Sequence, residues 1–362
     1  MAYTTIDDPS AYFQTLLYTG NATGRSLTNT GNSDLQPDLV WVKDRGATND
    51  HKITDSSRLG GGSGPTRTLE SNTENAEYDD QGEGSDATTS FNSDGFTIGT
   101  NGNYNTNNNT YVAWQWKANG GTTTSFNESG NNPGGTYQAN TTAGFSIVTT
   151  TGTGGDGTVS HGLGAVPHVM ISKGRSNSGG WVVYHRGNTS APETDALNLS
   201  SNSGTSDSDV WYNDTAPTSS VFTLGTTNDV NGDTRTYVHY LWTEIQGYSK
   251  FGNYTGNGND NGPFIYTGFK PAWLMIKRTT ANQWGIFDSA RGAFNEIAMN
   301  LDADSNSAEN TATNYDDLDF LSNGFKLREE NDDINASDGT YVYMAFAEHP
   351  FVSSTGVPCT AR

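Results

Sequence analysis

One segment recurs three times along this chain, and that recurrence constrains the fold more than any other feature. The first copy is Ser93-Asp94-Gly95-Phe96-Thr97-Ile98, followed after an Asn/Gly/Thr run by Thr110-Tyr111-Val112-Ala113-Trp114-Gln115-Trp116. The second is Val221-Phe222-Thr223-Leu224-Gly225 with Thr236-Tyr237-Val238-His239-Tyr240-Leu241-Trp242, and the third is Gly324-Phe325-Lys326-Leu327 with Thr340-Tyr341-Val342-Tyr343-Met344-Ala345-Phe346. The Phe-to-Tyr separations are 15, 15 and 16 residues, which reads as one structural unit in tandem. In the closing strand one face carries Val112, Trp114 and Trp116, then Val238, Tyr240 and Trp242, then Val342, Met344 and Phe346. A period of two is that of a β-strand with a constant apolar face, so these side chains belong to a core, each contributing roughly 1.5–3 kcal/mol on burial. The opposite face varies and reads as the less buried one.

Two shorter pieces recur upstream. Pro37 to Lys43, Pro167 to Lys173 and Pro271 to Lys277 are apolar runs opened by proline and closed by lysine. Apolar residues on both faces predict a strand in the middle of a sandwich, with Pro at its first position and Lys at its exit to solvent. Each run is followed by a turn sequence: Ile53 to Arg58, Val183 to Gly187, and Ile286 to Arg291. Asp55 with Arg58 and Asp288 with Arg291 read as ion pairs fixing the turn after a strand, the alternative being a ligand-binding pair. His185 replaces the Asp in the middle copy, which argues against a shared active site.

Polarity here comes from Asn, Thr, Ser and Gly, because only 16% of the 362 residues are charged against roughly 25% in an average domain. Those residues favour turns and solvated sheet faces, and 8 Trp, 17 Tyr and 15 Phe exclude a disordered chain. The expected class is all-β. Units of about 100 residues suit a sandwich and are about twice a propeller blade, which predicts three tandem β-sandwiches of jelly-roll type. Their limits are 1–117, including a segment at Ala11 to Leu17 that is either a first strand or a docking arm, 143–246 and 247–350. Residues 118–142 read as a Gly/Thr/Asn linker with little to bury, leaving the first sandwich mobile relative to the closely joined pair, and 351–362 as a disordered tail or docking peptide.

A net charge of -21 excludes nucleic acid as a partner, since phosphate contacts need clustered Lys and Arg. No apolar run has the length of a membrane span, and Met1 to Pro9 lacks the basic and apolar parts of a signal peptide, so synthesis in a cytoplasm is expected. Cys359 is the only cysteine, which excludes an internal disulfide framework.

No catalytic residue set emerges. A G-x-S-x-G elbow and the Glu-x-Asp-x-x-Glu pattern of sandwich glycosidases are both absent, and the six His lack two-apart or four-apart clustering. Calcium is the better metal candidate, because Asp302, Asp304 and Asn306, and likewise Asp229, Asn231 and Asp233, place oxygen ligands at alternate positions. The alternative for both runs is a plain solvated loop. Gly60 to Gly64 lacks the Lys and helix of a phosphate loop and reads as a flexible tip. Trp211, Tyr212 and Tyr104 lie outside the predicted core strands and are the candidates for stacking on sugar rings.

Four stretches carry a family resemblance: Ile6 to Gln14 with Tyr18-Thr19-Gly20, Pro37 to Lys43, Asn92 to Thr97, and Ala347 to Phe351. Through them the chain resembles structural proteins of tailed bacteriophages, particularly marine ones, known as virion or tail-fibre components. The resemblance covers most of the chain. It implies a place in the virion as a tail fibre, appendage or head decoration, in several copies or as a homo-oligomer, contacting other virion proteins and host-surface glycans. It supplies no catalytic residue and no cofactor. At the level of fold the units look like the concanavalin-like or SPRY-like jelly rolls of phage appendages. The competing class is a carbohydrate-active enzyme or a free lectin on such a fold.

Overall fold

A computed structural model describes residues 2–59, 64–80, 87–311 and 318–358. Three large antiparallel sheets follow one strand order. The first runs Phe13–Thr19, Thr110–Trp116, Leu39–Asp44, Lys52–Asp55. The second contains Phe145–Thr151, Thr236–Trp242, Val169–Gly174, Trp181–His185 and Asp195–Asn198, and the third contains Ser249–Thr255, Thr340–Pro350, Phe269–Arg278, Trp284–Asp288 and Leu301–Asp302. In each, the Thr-Tyr-Val strand is central, paired on one side with the Pro-to-Lys strand. A small sheet covers each large one, built on Phe96–Ile98, Val221–Leu224 or Gly324–Leu327. The protein is therefore all-β with a β-sandwich architecture.

Each sandwich has its own core. Leu16, Val40, Phe96, Tyr104, Tyr111 and Ala113 fill the first. The face expected to be less buried is thus fully enclosed, with Tyr111, Ala113 and Gln115 at 0% exposure, because the small sheet lies on it. Val112, Trp114 and Trp116 point the other way, where they meet Val238, Tyr240 and Trp242 and Val342, Met344 and Phe346 in one core common to all three large sheets. Trp116 lies 6.3 Å from Trp242, 5.6 Å from Trp273 and 5.7 Å from Phe346 between ring centroids.

That common core and the small sheet together cover both faces of the first large sheet. The expected linker is corrected. Residues 118–142 contain the strands Thr124–Phe126 and Gly134–Asn140, which extend the second large sheet through Phe145–Thr151. The buried Asp38 carboxylate accepts from the Ala118, Gly120 and Gly121 amides at 2.7, 2.9 and 2.9 Å, and Gln138 donates to Ser56 and Ser57 at 2.8 and 2.6 Å. Glycine and threonine here provide backbone donors and strand residues.

At the N-terminal end Phe13–Thr19 is a strand, and the chain before it crosses to the third sandwich, where the Tyr3 hydroxyl donates to the Gly268 carbonyl at 2.7 Å. The Asp7 carboxylate accepts the Ser354 amide at 2.6 Å, so the described part of the tail is held. Gly60 to Ser63 and Cys359 fall outside the described residues.

The lysines closing the Pro-to-Lys strands do not exit to solvent. Lys43, Lys173 and Lys277 are all at 0% exposure. Their ammonium groups donate to Asp44 and Ala47 carbonyls (2.7, 3.1 Å), Glu74 and Gly179 (3.2, 3.0 Å), and Arg278 and Thr280 (2.8, 3.1 Å). Burial pulls each down to about 8. Carbonyls with no strand partner attract an ammonium that would otherwise reach water.

The tyrosines of the recurring segment have a parallel role. Tyr111, Tyr237 and Tyr341 donate to the carbonyls of Gly102, Asn228 and Asp332 at 2.8, 2.7 and 2.7 Å. They accept from the amides of Thr106, Gly232 and Ala336 at 2.9, 2.6 and 2.8 Å. Each hydroxyl closes the loop that precedes its own strand.

Candidate functional site

The recurring Asp/Arg pairs form the junctions between sheets. Arg58 Nε lies 2.5 Å from Asp55, both fully buried, and Arg58 Nη1 reaches Glu77 at 2.9 Å. Glu77 in turn holds Arg175 of the second sandwich at 2.8 Å, and the Tyr240 hydroxyl donates to Asp55 at 2.6 Å. Where the third sandwich meets the first, the set repeats: Arg291 with Asp288 at 2.6 Å and Glu309 at 3.0 Å, Glu309 with Arg45 at 2.7 Å, and Trp114 Nε1 donating to Asp288 at 3.0 Å.

The remaining junction explains His185. Strand pairing places His185 where Asp55 and Asp288 stand, and Met344 where Trp114 and Tyr240 stand. Methionine has no proton to donate, so a carboxylate there would be buried without a partner. His185 instead meets the Tyr343 carbonyl at 3.0 Å, and Thr205 donates to Asn188 at 2.7 Å. Burial brings the imidazole down to about 4, which keeps it neutral. The pairs fix turns, as expected, and they also clasp neighbouring sandwiches together.

The two runs considered for calcium do not converge. The Asn231 Oδ1 accepts the Thr153 amide at 3.0 Å and its Nδ2 donates to Gly155 at 2.6 Å, holding a neighbouring loop as Asn105 and Asn335 do theirs. Asp233 is exposed, while Asp229 lines a separate cleft together with Gly180. Asp302 is pushed up to about 7, mainly by burial and then by the neighbouring Asp304 charge. Asp304 accepts the Trp284 amide at 2.9 Å, and Asn306 is exposed. Among the described residues no group of three or more His, Cys, Asp or Glu forms a metal-binding set.

Of the aromatic candidates, two are core residues. Tyr104 and Tyr212 are 0% and 1% exposed, turned inward by the short helices Gly102–Asn105 and Asp209–Tyr212. Each plugs one sandwich; Tyr212 packs edge-on against Tyr184 with centroids 5.7 Å apart. Their place in polar loop sequence hid this, because a four-residue helix carries too little periodicity to show which side faces in.

Trp211 is different. Half-buried, it walls a cleft of about 190 Å³ with a floor of Val182 and Ala196 and a rim that includes Asn198 and Asp229. The structure thus brings together one stacking candidate and one carboxylate from the calcium run. It adds Asn198, whose Oδ1 accepts from Trp181 N and Ser200 N at 3.1 and 3.0 Å and from the Ser200 hydroxyl at 2.8 Å, leaving Nδ2 at the cleft. In the first sandwich the positions of Val182 and Asn198 hold Lys52 and Glu70. There Lys52 binds Glu70 at 2.5 Å and Tyr78 at 2.8 Å, filling the corresponding space.

Large sheets packed round one aromatic core, each covered by a small sheet, with recurring ionisable residues at their junctions and a small mixed cleft beside Trp211, define a β-sandwich module. The chain belongs to the family described as Domain of unknown function (DUF7483), whose model matches residues 8–350. No curated protein and no solved structure matches the chain.

Proposed function

We propose that this protein is a structural, non-enzymatic component of a virus particle, exposed on its surface as a tail appendage or head decoration and in contact with host-surface glycans. One observation carries the reading: the recurring charged residues, Asp55, Arg58 and Glu77 and then Asp288, Arg291 and Glu309, face inward and lock neighbouring sheets. Such a block keeps its shape while presenting neutral Asn, Ser and Thr loops outward. The phage resemblance supports the location, and the net charge of -21 suits a protein that stays clear of packaged nucleic acid.

Cryo-electron microscopy of intact particles tests the proposal. Density for the joined sandwiches is expected at capsid lattice positions, as a decoration, or at the tail, as a fibre or adaptor; absence of the chain from purified particles overturns it. Incubation of the pure protein with host surface polysaccharide separates scaffold from enzyme. Shortening of the polymer would support a carbohydrate-active enzyme instead.

A further inference from the structure

The cleft beside Trp211 has a composition that neither a core void nor an ion site needs. Its floor of Val182 and Ala196 is apolar, one wall is an indole packed on the core of the second sandwich, and the rim carries a carboxylate, an amide and serine hydroxyls. A ligand that fits must present an apolar face and a polar edge at once. A pyranose ring does so, with C–H groups on one face and hydroxyls around the rim.

We propose that this cleft binds a single neutral pyranose residue of a glycan, its C–H face on Trp211 and adjacent hydroxyls on the Asp229 carboxylate and the Asn198 amide. The inference rests on the glycan contact in the proposed function and names its site and sugar class. The volume of about 190 Å³ lies below the roughly 300–1,000 Å³ of pockets for drug-sized ligands, so one ring enters and the rest of the chain remains in solvent.

The amide edge of the rim is oriented in advance, because the Trp181 and Ser200 amides hold Asn198 at 3.1 and 3.0 Å. A Cβ on Gly180 would come within 2.7 Å of Asn198 Nδ2, so glycine is needed here to keep the amide edge clear. Charge selects against one alternative: an acidic sugar meets Asp229 on a chain of net charge -21.

The test is titration of the full chain with methyl glucoside, methyl galactoside, methyl mannoside and N-acetylglucosamine, with glucuronic acid as the acidic control, read by saturation-transfer NMR and calorimetry. At least one neutral sugar is expected to bind and glucuronic acid to bind at least tenfold more weakly. Trp211→Ala and, separately, Asp229→Asn should each weaken binding tenfold or more. Should the tryptophan variant fail to fold, Asp229→Asn decides, because it preserves shape and its thermal midpoint is expected to match that of the parent. Absence of binding by every neutral sugar, equal binding of glucuronic acid, or binding that Asp229→Asn leaves unchanged overturns the inference. The particle-surface reading has its own test in localisation, so a chain found on particles without sugar binding refutes this site alone.

Discussion

Replacing Asp55 by alanine tests the junction between the first and second sandwiches most directly. The change leaves Arg58 fully buried, removes its 2.5 Å partner, and takes the acceptor from the Tyr240 hydroxyl. Breaking a buried pair from one side costs about 3–5 kcal/mol, because a charge remains without compensation. Glu77 still holds Arg58 at 2.9 Å, which places the expected loss near the lower end, about 3 kcal/mol. Tyr240→Phe removes a hydroxyl that donates to Asp55 at 2.6 Å and accepts from Arg58 at 3.1 Å, with an expected cost of about 1.5–3 kcal/mol. Since both changes disrupt one network, the double variant should be less destabilised than the sum by about 1 kcal/mol or more. Urea unfolding followed by circular dichroism and tryptophan fluorescence measures all three. A loss below about 1 kcal/mol for Asp55→Ala, or strict additivity, refutes the junction argument.

Three further outcomes follow from the same structure. His185→Asp should destabilise by about 2–4 kcal/mol, because it places a carboxylate against Met344 with no arginine at position 188, and Asn188→Arg should restore part of the loss; an unchanged urea midpoint would contradict this. Burial holds His185 at about 4 and His239 at about 3, below the ordinary 6.5, so the unfolded chain takes up protons first as pH falls from 6.5. Stability should therefore drop by up to about 1.4 kcal/mol per pH unit for each of these histidines between pH 6.5 and 4, and a thermal midpoint flat across that window would show the imidazoles are not buried neutral. Trp116→Ala should cost about 3–5 kcal/mol, and hydrogen exchange should show loosening in all three large sheets, since the ring touches residues of each; loosening confined to the first would argue against a common core.

The identity of the strands was readable from local pattern. Val112, Trp114 and Trp116 alternate because a strand presents every second residue to one side, and the structure buries them as that alternation requires. Pairing of Asp55 with Arg58 was likewise readable, since three residues across a turn bring the two side chains within reach. The site was far less legible. Trp211 carries a signal as an aromatic outside the predicted strands, Asp229 belongs to a run of metal-like spacing that does not converge, and Asn198 carries none.

Periodicity reports that a face is apolar and says nothing of what lies against it, so the chain alone determined an all-β protein with enclosed strands and turn-fixing ion pairs. Tertiary structure decided the rest: that both faces of each large sheet are covered, that Lys43, Lys173 and Lys277 fold back onto carbonyls, that Tyr104 and Tyr212 turn inward, and that Trp211 meets Asp229 across a cleft. Those outcomes depend on which distant backbone and side-chain groups arrive at the same place. His185 is the clearest case, for its reason is the methionine at 344, on the neighbouring sandwich, which has no proton to offer a carboxylate.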